Sequence, residues 1–365
     1  MLPHTALVLA FSILLSLPVI VILGPTVLTQ SHLHLPFSPQ DELDDLSLFT
    51  LASTFHHHAP PQHKPSRIFQ FSYQTKPKPK IAFLFLTNTD LHFAPIWNLF
   101  FHDQPTNLYN IYIHKDPSVN LTRPVEGVFK NRFIPSKKTA RASPTLISAT
   151  RRLLAHALLD DPENAYFALL SQHCIPLHSF PYVYRSLFFS TTFDSPGLTR
   201  PTQTHRSFIE ILTHAPRLWN RYIARGRFAM LPEVKYEDFR VGSQFFTLTR
   251  PHALLVVRDR ALWRKFRSPC YKKDECYPEE HYFPTLLSMM NPEGCTNYTL
   301  THVNWTGTKG GHPYSYKPQE VSVELISRLR ESNFSESYLF ARKFTPDCLQ
   351  PLLSNFSEDR RIFNI

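Results

Sequence analysis

The sequence predicts an α/β domain built on a mostly parallel sheet, and three observations carry that prediction. The first is a set of short apolar runs of strand length, at 81–86, 108–114 and 166–170. Parallel strands are covered on both faces, so they read as continuous apolar runs and not as alternating ones. The second is the helical pattern between them. Residues 97–101 fit a short helix, and 144–159 place Leu146, Ile147, Leu153, Leu154 and Leu158 at helical spacing, with Arg151 and Arg152 expected on the other face. Strand, helix, strand, helix, strand is the order of an α/β domain. The third is that each run stops at polar residues: Thr87-Asn88, His114-Lys115-Asp116 and Ser171-Gln172-His173. Ligands bind beyond the carboxyl ends of such strands, so these words share one expected rim.

Composition narrows the class. The chain has 365 residues, 42% of them hydrophobic and 19% charged, which describes a globular protein of one large domain or two modest ones. Glycine is scarce (9) and proline abundant (32), and neither glycine-rich phosphate loop occurs. A P-loop kinase and a Rossmann-type dinucleotide enzyme are thereby disfavoured. The net charge of +10 suits an anionic ligand, a membrane surface or nucleic acid. The cations form no single stripe, and no nucleic-acid module is legible, so an anionic ligand is the expectation.

The N-terminus speaks to compartment. Residues 6–23 form an unbroken uncharged run about long enough to span a bilayer, with no clear small-x-small cleavage site after it. We read 1–29 as a single-pass anchor, 30–79 as a stem with little core of its own, and 80–365 as the lumenal domain. The stem holds His56-His57-His58 and the basic spacer Lys76-Pro-Lys-Pro-Lys80. Adjacent histidines do not easily face one ion, so no metal is expected there. Sequons at Asn120, Asn297, Asn304, Asn333 and Asn355 agree with a lumenal location. Of the five cysteines, Cys270, Cys276 and Cys295 flank one acidic stretch, and a disulfide bond among them would pin it.

That stretch is 276–287. Pro278 suits the first turn of a helix, and Glu279 and Glu280 behind it meet the positive end of the helix dipole. A carboxylate held there makes a rigid general base; the plainer reading is a pair of first-turn charges. Around it, 242–249 read as a strand, 251–266 as a helix, 321–330 as a helix and 338–344 as a last short strand carrying Arg342 and Lys343. For Gly242-Ser243-Gln244 a plain turn competes with a ligand-binding role, and for His281 packing is favoured over catalysis.

Taken in order, the words Ile113-His-Lys-Asp116, 151–159, 170–177, Gly242-Ser-Gln-Phe-Phe246, Tyr277-Pro-Glu-Glu-His-Tyr282 and 339–344 carry a resemblance. The chain resembles the plant branch of the core-2/I-branching N-acetylglucosaminyltransferase family, type II membrane-anchored glycosyltransferases of the Golgi. The resemblance spans about 80–353. It implies a GT-A-like fold and an inverting, metal-independent transfer from a UDP-sugar to a hydroxyl of a glycan acceptor. It also implies that Glu280 is the catalytic base and that Lys343 contacts the donor diphosphate, joined by Arg328, Arg330 or Arg342. His114 and Asp116 would lie near the nucleotide, and Ser243, Gln244 and Glu279 near the acceptor. Cys174 departs from an acidic residue of the animal enzymes, and the acceptor-binding residues are poorly matched, so the identity of the acceptor does not carry over. Some members of the wider family transfer glucuronic acid or xylose, so UDP-glucuronic acid and UDP-xylose stay open as donors, as does a catalytically silent lumenal glycan-binding protein; a sulfotransferase lacks its phosphate loop.

The residues agree independently. Metal-using enzymes of this fold clamp the diphosphate through Asp-x-Asp, and this chain contains none. Leaving-group charge then falls to Lys or Arg, and Arg342-Lys343 is the candidate pair. No cofactor is expected beyond the nucleotide-sugar substrate.

Overall fold

The computed structural model describes residues 37–54, 77–122, 126–189, 205–307 and 311–358. The expected anchor, 1–29, and the histidine triplet lie outside them. Among the described residues no helix is long and apolar enough to cross a membrane.

The first described helix, α1 (Pro39–Thr54), falls in the segment read as stem. Ser38 Oγ accepts from Asp41 N at 3.0 Å, Pro39 opens the helix, and Asp41 and Glu42 fill its first turn. That is an N-cap, proline and acid signature, legible in retrospect. Phe49 and Ala52 enter the core, and Asp45 meets Arg152 in a two-point pair of 2.5 and 2.8 Å. The coreless stem is therefore corrected: 37–54 belong to the folded domain. The same helix corrects the outward face expected for Arg151 and Arg152. Both are buried, Arg151 with its guanidinium over the rings of Phe49 and Trp263. An arginine can bury when its stem packs and its head finds carbonyls, here Val257 O at 3.0 Å and Asp259 O at 2.6 Å.

The α/β core follows as β1 (Lys80–Thr87), α2 (Ala94–Phe101), β2 (Tyr109–Lys115), α3 (Pro144–Asp160), β3 (Asn164–Ser171), β4 (Ile175–Pro176) and α4 (Phe180–Phe188). The second half runs β5 (Ser207–Glu210), α5 (Leu218–Tyr222), β6 (Thr247–Thr249), α6 (Arg250–Arg258), α7 (Ala261–Phe266) and α8 (Pro278–Met290). It closes with β7 (Cys295–Asn297), β8 (Thr301–Val303), α9 (Val323–Arg330), β9 (Phe340–Arg342) and α10 (Leu349–Glu358). The main sheet has the order β2-β1-β3-β6-β5-β7, and a small sheet the order β4-β9-β8. β1 lies parallel to β2 and β3, with Leu86 opposite both His114 and Ser171, so three carboxyl ends finish level. β6 runs antiparallel to both neighbours, while β5 and β7 are parallel.

β1 shows why its run is unbroken. Ile81, Phe83 and Phe85 face a layer of rings from α2, α4 and β9, including Trp97, Phe100, Phe180 and Phe340. Ala82, Leu84 and Leu86 face α3 and the residues behind β6. Period-two alternation with apolar cover on both faces gives a continuous apolar sequence. The helix expected at 251–266 breaks in two because Asp259 caps the second piece, accepting from Leu262 N at 3.1 Å and Trp263 N at 2.8 Å. The strand expected at 242–249 is regular only from Thr247.

Candidate active site

Beyond the level carboxyl ends of β1 and β3 lies a cavity of about 760 Å³. Thr87, Asn88, Ser171, Gln172 and His173 line it, as the rim argument expected. The segment 242–244, the start of α8, the pair Arg342-Lys343 and the loop 139–141 complete its wall.

Three carboxyl groups line it, those of Glu210, Glu279 and Glu280. α8 begins at Pro278, with Glu279 and Glu280 in its first turn. Pro284 sits inside the helix and has no N–H, so the Glu280 carbonyl loses its intrahelical partner. Gly242 N takes that place, donating to Glu280 O at 2.9 Å. Only glycine fits at 242, because a Cβ there would lie 1.9 Å from Glu210 O. Glu280 keeps its side chain partly open, 29% exposed, with Arg221 Nη1 3.4 Å from Oε2. Burial raises its pKa, against the nearby Arg221 and Arg141. Burial likewise raises Glu210, which accepts from the backbone of Ser243. Glu279 is 5% exposed, and burial, with Glu280 beside it, pushes its pKa up to about 8. Its Oε1 accepts from Ala142 N at 3.1 Å, and its Oε2 has no partner among the described residues. Glu279 is thus a neutral acid at neutral pH, and Glu280 is the carboxyl open to a substrate.

Cations line the same cavity. The mostly buried guanidinium of Arg342 stands over the Phe245 ring at 4.2 Å, its Nε unpartnered among the described residues. Burial lowers the pKa of both Arg342 and Lys343, and for Lys343 the neighbouring Arg342 and Arg141 add to it. Arg141, which sequence reasoning missed, projects from the loop before α3. It donates to Gly311 O at 2.9 Å and meets His312 Nε2. His173 is held neutral, near 4, by burial and by Lys343 and Arg342. The cavity gathers both signs: the cations Arg141, Arg221, Arg342 and Lys343 and the carboxyl groups Glu210, Glu279 and Glu280 line the same space. Gln244, His173, Arg221, Arg342 and Glu279 line it, each with a buried polar atom that has no partner among the described residues. Buried polar groups are ordinarily paired, so five orphans around one void mark a ligand site.

Ser243 and Gln244 fall in the cavity wall, next to Gly242 on the Glu280 carbonyl and with the Ser243 backbone on Glu210. His114 and Asp116 do not line the cavity. Residues 132–134 add to the outer edge of β2, with Ile113 N donating to Arg132 O and Ile134 N to Ile113 O, both at 2.9 Å. The chain then folds over the end of β2. Lys137 N donates to His114 Nε2 at 3.3 Å, and burial drops that ring to about 4. Burial alone would raise Asp116, but hydrogen bonds from Ser118 and Thr139 outweigh it and hold the carboxylate near 2. Asp116 thereby fastens Thr139, two residues before Arg141. Arg328 and Arg330 also lie off the cavity, Arg330 Nε donating to Leu177 O at 2.7 Å.

The disulfide is Cys270–Cys276, directly before α8, and Cys295 is free and buried. Of the sequon asparagines, Asn120, Asn297 and Asn333 are exposed. Asn304 Nδ2 donates to Tyr316 OH at 3.3 Å, and Asn355 Nδ2 to Pro351 O at 2.8 Å. Among the described residues no group of three His, Cys, Asp or Glu side chains is placed to hold a metal ion.

The mixed α/β architecture fits a GT-A-like fold, and the sequence matches the Core-2/I-Branching enzyme family over residues 81–330. It is also similar to Glycosyltransferase BC10 of Oryza sativa subsp. japonica, 30% identical over 315 residues that cover 73% of this chain and 74% of the rice protein. The matched span holds the sheet, α8 with its paired glutamates and the loop of Arg141, so the chain belongs to the core-2/I-branching family and is a glycosyltransferase.

Proposed function

We propose that this enzyme moves a sugar, N-acetylglucosamine on the family resemblance, from a UDP-sugar to a hydroxyl of a glycan acceptor, with inversion and without a metal. The observation that carries the reading is that one cavity brings the partly open carboxyl of Glu280 together with the cations Arg141, Arg342 and Lys343. The donor diphosphate belongs at Arg141, Arg342 and Lys343, and the acceptor hydroxyl at Glu280. Glu280 removes the hydroxyl proton, the freed oxygen bonds to the anomeric carbon from the face opposite the diphosphate, and the carbon–oxygen bond to the diphosphate breaks. One base and one displacement give inversion. A raised pKa makes Glu280 a stronger base than an exposed carboxylate. Arg221 aligns the carboxylate, and the three cations meet the charge that grows on UDP. Neutral Glu279 spares the base a second negative charge next to it.

The anchor at 1–29 is proposed to hold the domain in the Golgi lumen, with glycans on the exposed Asn120, Asn297 and Asn333. The test is a panel of UDP-sugars, read by donor hydrolysis and by thermal shift with and without UDP. One donor should be hydrolysed and stabilise the protein; no response to any UDP-sugar or to UDP sinks the reading.

A further inference from the structure

An aromatic pair beside the cavity takes no part in the transfer step. Trp219 of α5 and Tyr236 are 43% and 40% exposed, and their rings meet edge to face with centroids 5.0 Å apart. Tyr222, buried beneath, contacts the Trp219 and Tyr236 rings at 5.7 and 5.4 Å and anchors its hydroxyl on Val234 O at 2.9 Å. The pair is fixed from below and turned to solvent. Leaving large rings wet forfeits the gain of burying them, so a supported exposed pair marks a binding surface.

Its position says what it binds. Leu218 and Tyr222 point inward from α5, and Arg221 leaves one flank to reach Glu280 and the Tyr277 ring. Residues two apart on a helix sit about 200° apart, so Trp219 leaves the opposite flank. The segment leading into α5 lines the cavity through Leu212, Ala215 and Pro216, and Leu212 is itself 43% exposed. A helix with its side chains is about 10–12 Å across, a span that a few linked sugar rings cover. Exposed Lys235 and Glu237 and half-buried Asn220 surround the rings with polar groups. Sugars present an apolar C–H face and hydroxyl edges, and a ring surface with a polar border matches both.

We propose that Trp219 and Tyr236 form a distal acceptor subsite, which holds a remote residue of an oligo- or polysaccharide while another residue of the same chain meets Glu280. This rests on the transfer reading above and names its acceptor class: a chain of several sugars, crossing α5. The test uses the purified enzyme with the donor that it hydrolyses. Binding is measured on arrayed plant and animal oligosaccharides, and transfer on a length series, monosaccharide to hexasaccharide, of the chains bound. In the wild type kcat/KM should rise with length. Trp219→Ala should cut the ratio of long-chain to monosaccharide kcat/KM about tenfold, through KM, as the loss of one stacked ring would. Trp219→Phe should restore most of that ratio, and Tyr236→Ala should lower it as well. The inference is overturned if no arrayed glycan binds, if the wild type is indifferent to length, or if the variants keep the wild-type length dependence. It is also overturned if their only effect is to break up a dimer, since the pair would then be a protein interface. Donor hydrolysis separates the two failures: its absence in the wild type removes the transfer reading, whereas hydrolysis with a flat length dependence removes the subsite alone.

Discussion

Replacing Glu279 with glutamine should make the enzyme relatively more stable as pH rises. In the folded protein burial lifts this carboxyl from its ordinary 4.5 to about 8. The unfolded chain loses the proton near 4.5 and the folded chain keeps it, so between those values the unfolded state binds fewer protons. Stability then falls with rising pH, and the fall ends once the folded form ionises too. Each pH unit inside the window is worth about 1.4 kcal/mol, which gives about 5 kcal/mol across its whole width. The glutamine keeps an oxygen for Ala142 N and has no proton to lose, so it removes this slope. Denaturant unfolding of both proteins should therefore show the variant gaining on the wild type by about 3 kcal/mol between about pH 5 and about pH 7.5, with equal m-values. A stability difference that stays constant with pH would refute the argument, because Glu279 would then be charged in the folded protein like any surface carboxylate.

Other outcomes follow from the same geometry. Glu280→Gln should lower transfer by about 10²–10⁴-fold while UDP binding, followed by calorimetry, stays near the wild-type value. Lys343→Ala should weaken UDP binding and slow transfer together, on the order of a hundredfold, and excess EDTA should leave the wild-type rate intact; rescue of an EDTA-killed enzyme by Mn²⁺ would overturn the assignment of the charge to cations. Gly242→Ala drives a Cβ to 1.9 Å from Glu210 O, so thermal unfolding should show a loss of about 1–3 kcal/mol, with activity falling further because Glu210 and Glu280 both shift. Asp45→Ala strands Arg152 in the core and should cost about 3–5 kcal/mol in denaturant unfolding, which a truly independent stem would not register.

The sequence held much of the site where local pattern determines it. The apolar runs of β1, β2 and β3, the proline-led start of α8 and the cation pair that closes β9 depend on neighbours in the chain, and all were legible. What escaped depends on segments far apart. Arg141, Glu210 and Arg221 sit in stretches with no motif of their own, and only folding brings them to the cavity. His114 and Asp116 close a strand as the other rim words do. No local pattern could show that 132–139 would fold over that strand's end. Arg151 and Arg152 read as solvent-facing because their cover, α1, lies a hundred residues earlier. The signal that could have found α1 was present in Ser38, Pro39, Asp41 and Glu42.

The missing N–H of Pro284 has a mechanical consequence. Because the carbonyl it frees is fastened to Gly242, the first turn of α8 is tied to the 242–244 wall of the cavity. Through the Glu279 side chain and Ala142 the same turn is tied to the 139–141 loop, next to Arg141. Consecutive residues thus clasp two wall segments that are far apart in the chain. A shift of either segment would be delivered to the one turn that carries both glutamates, with no long relay between them.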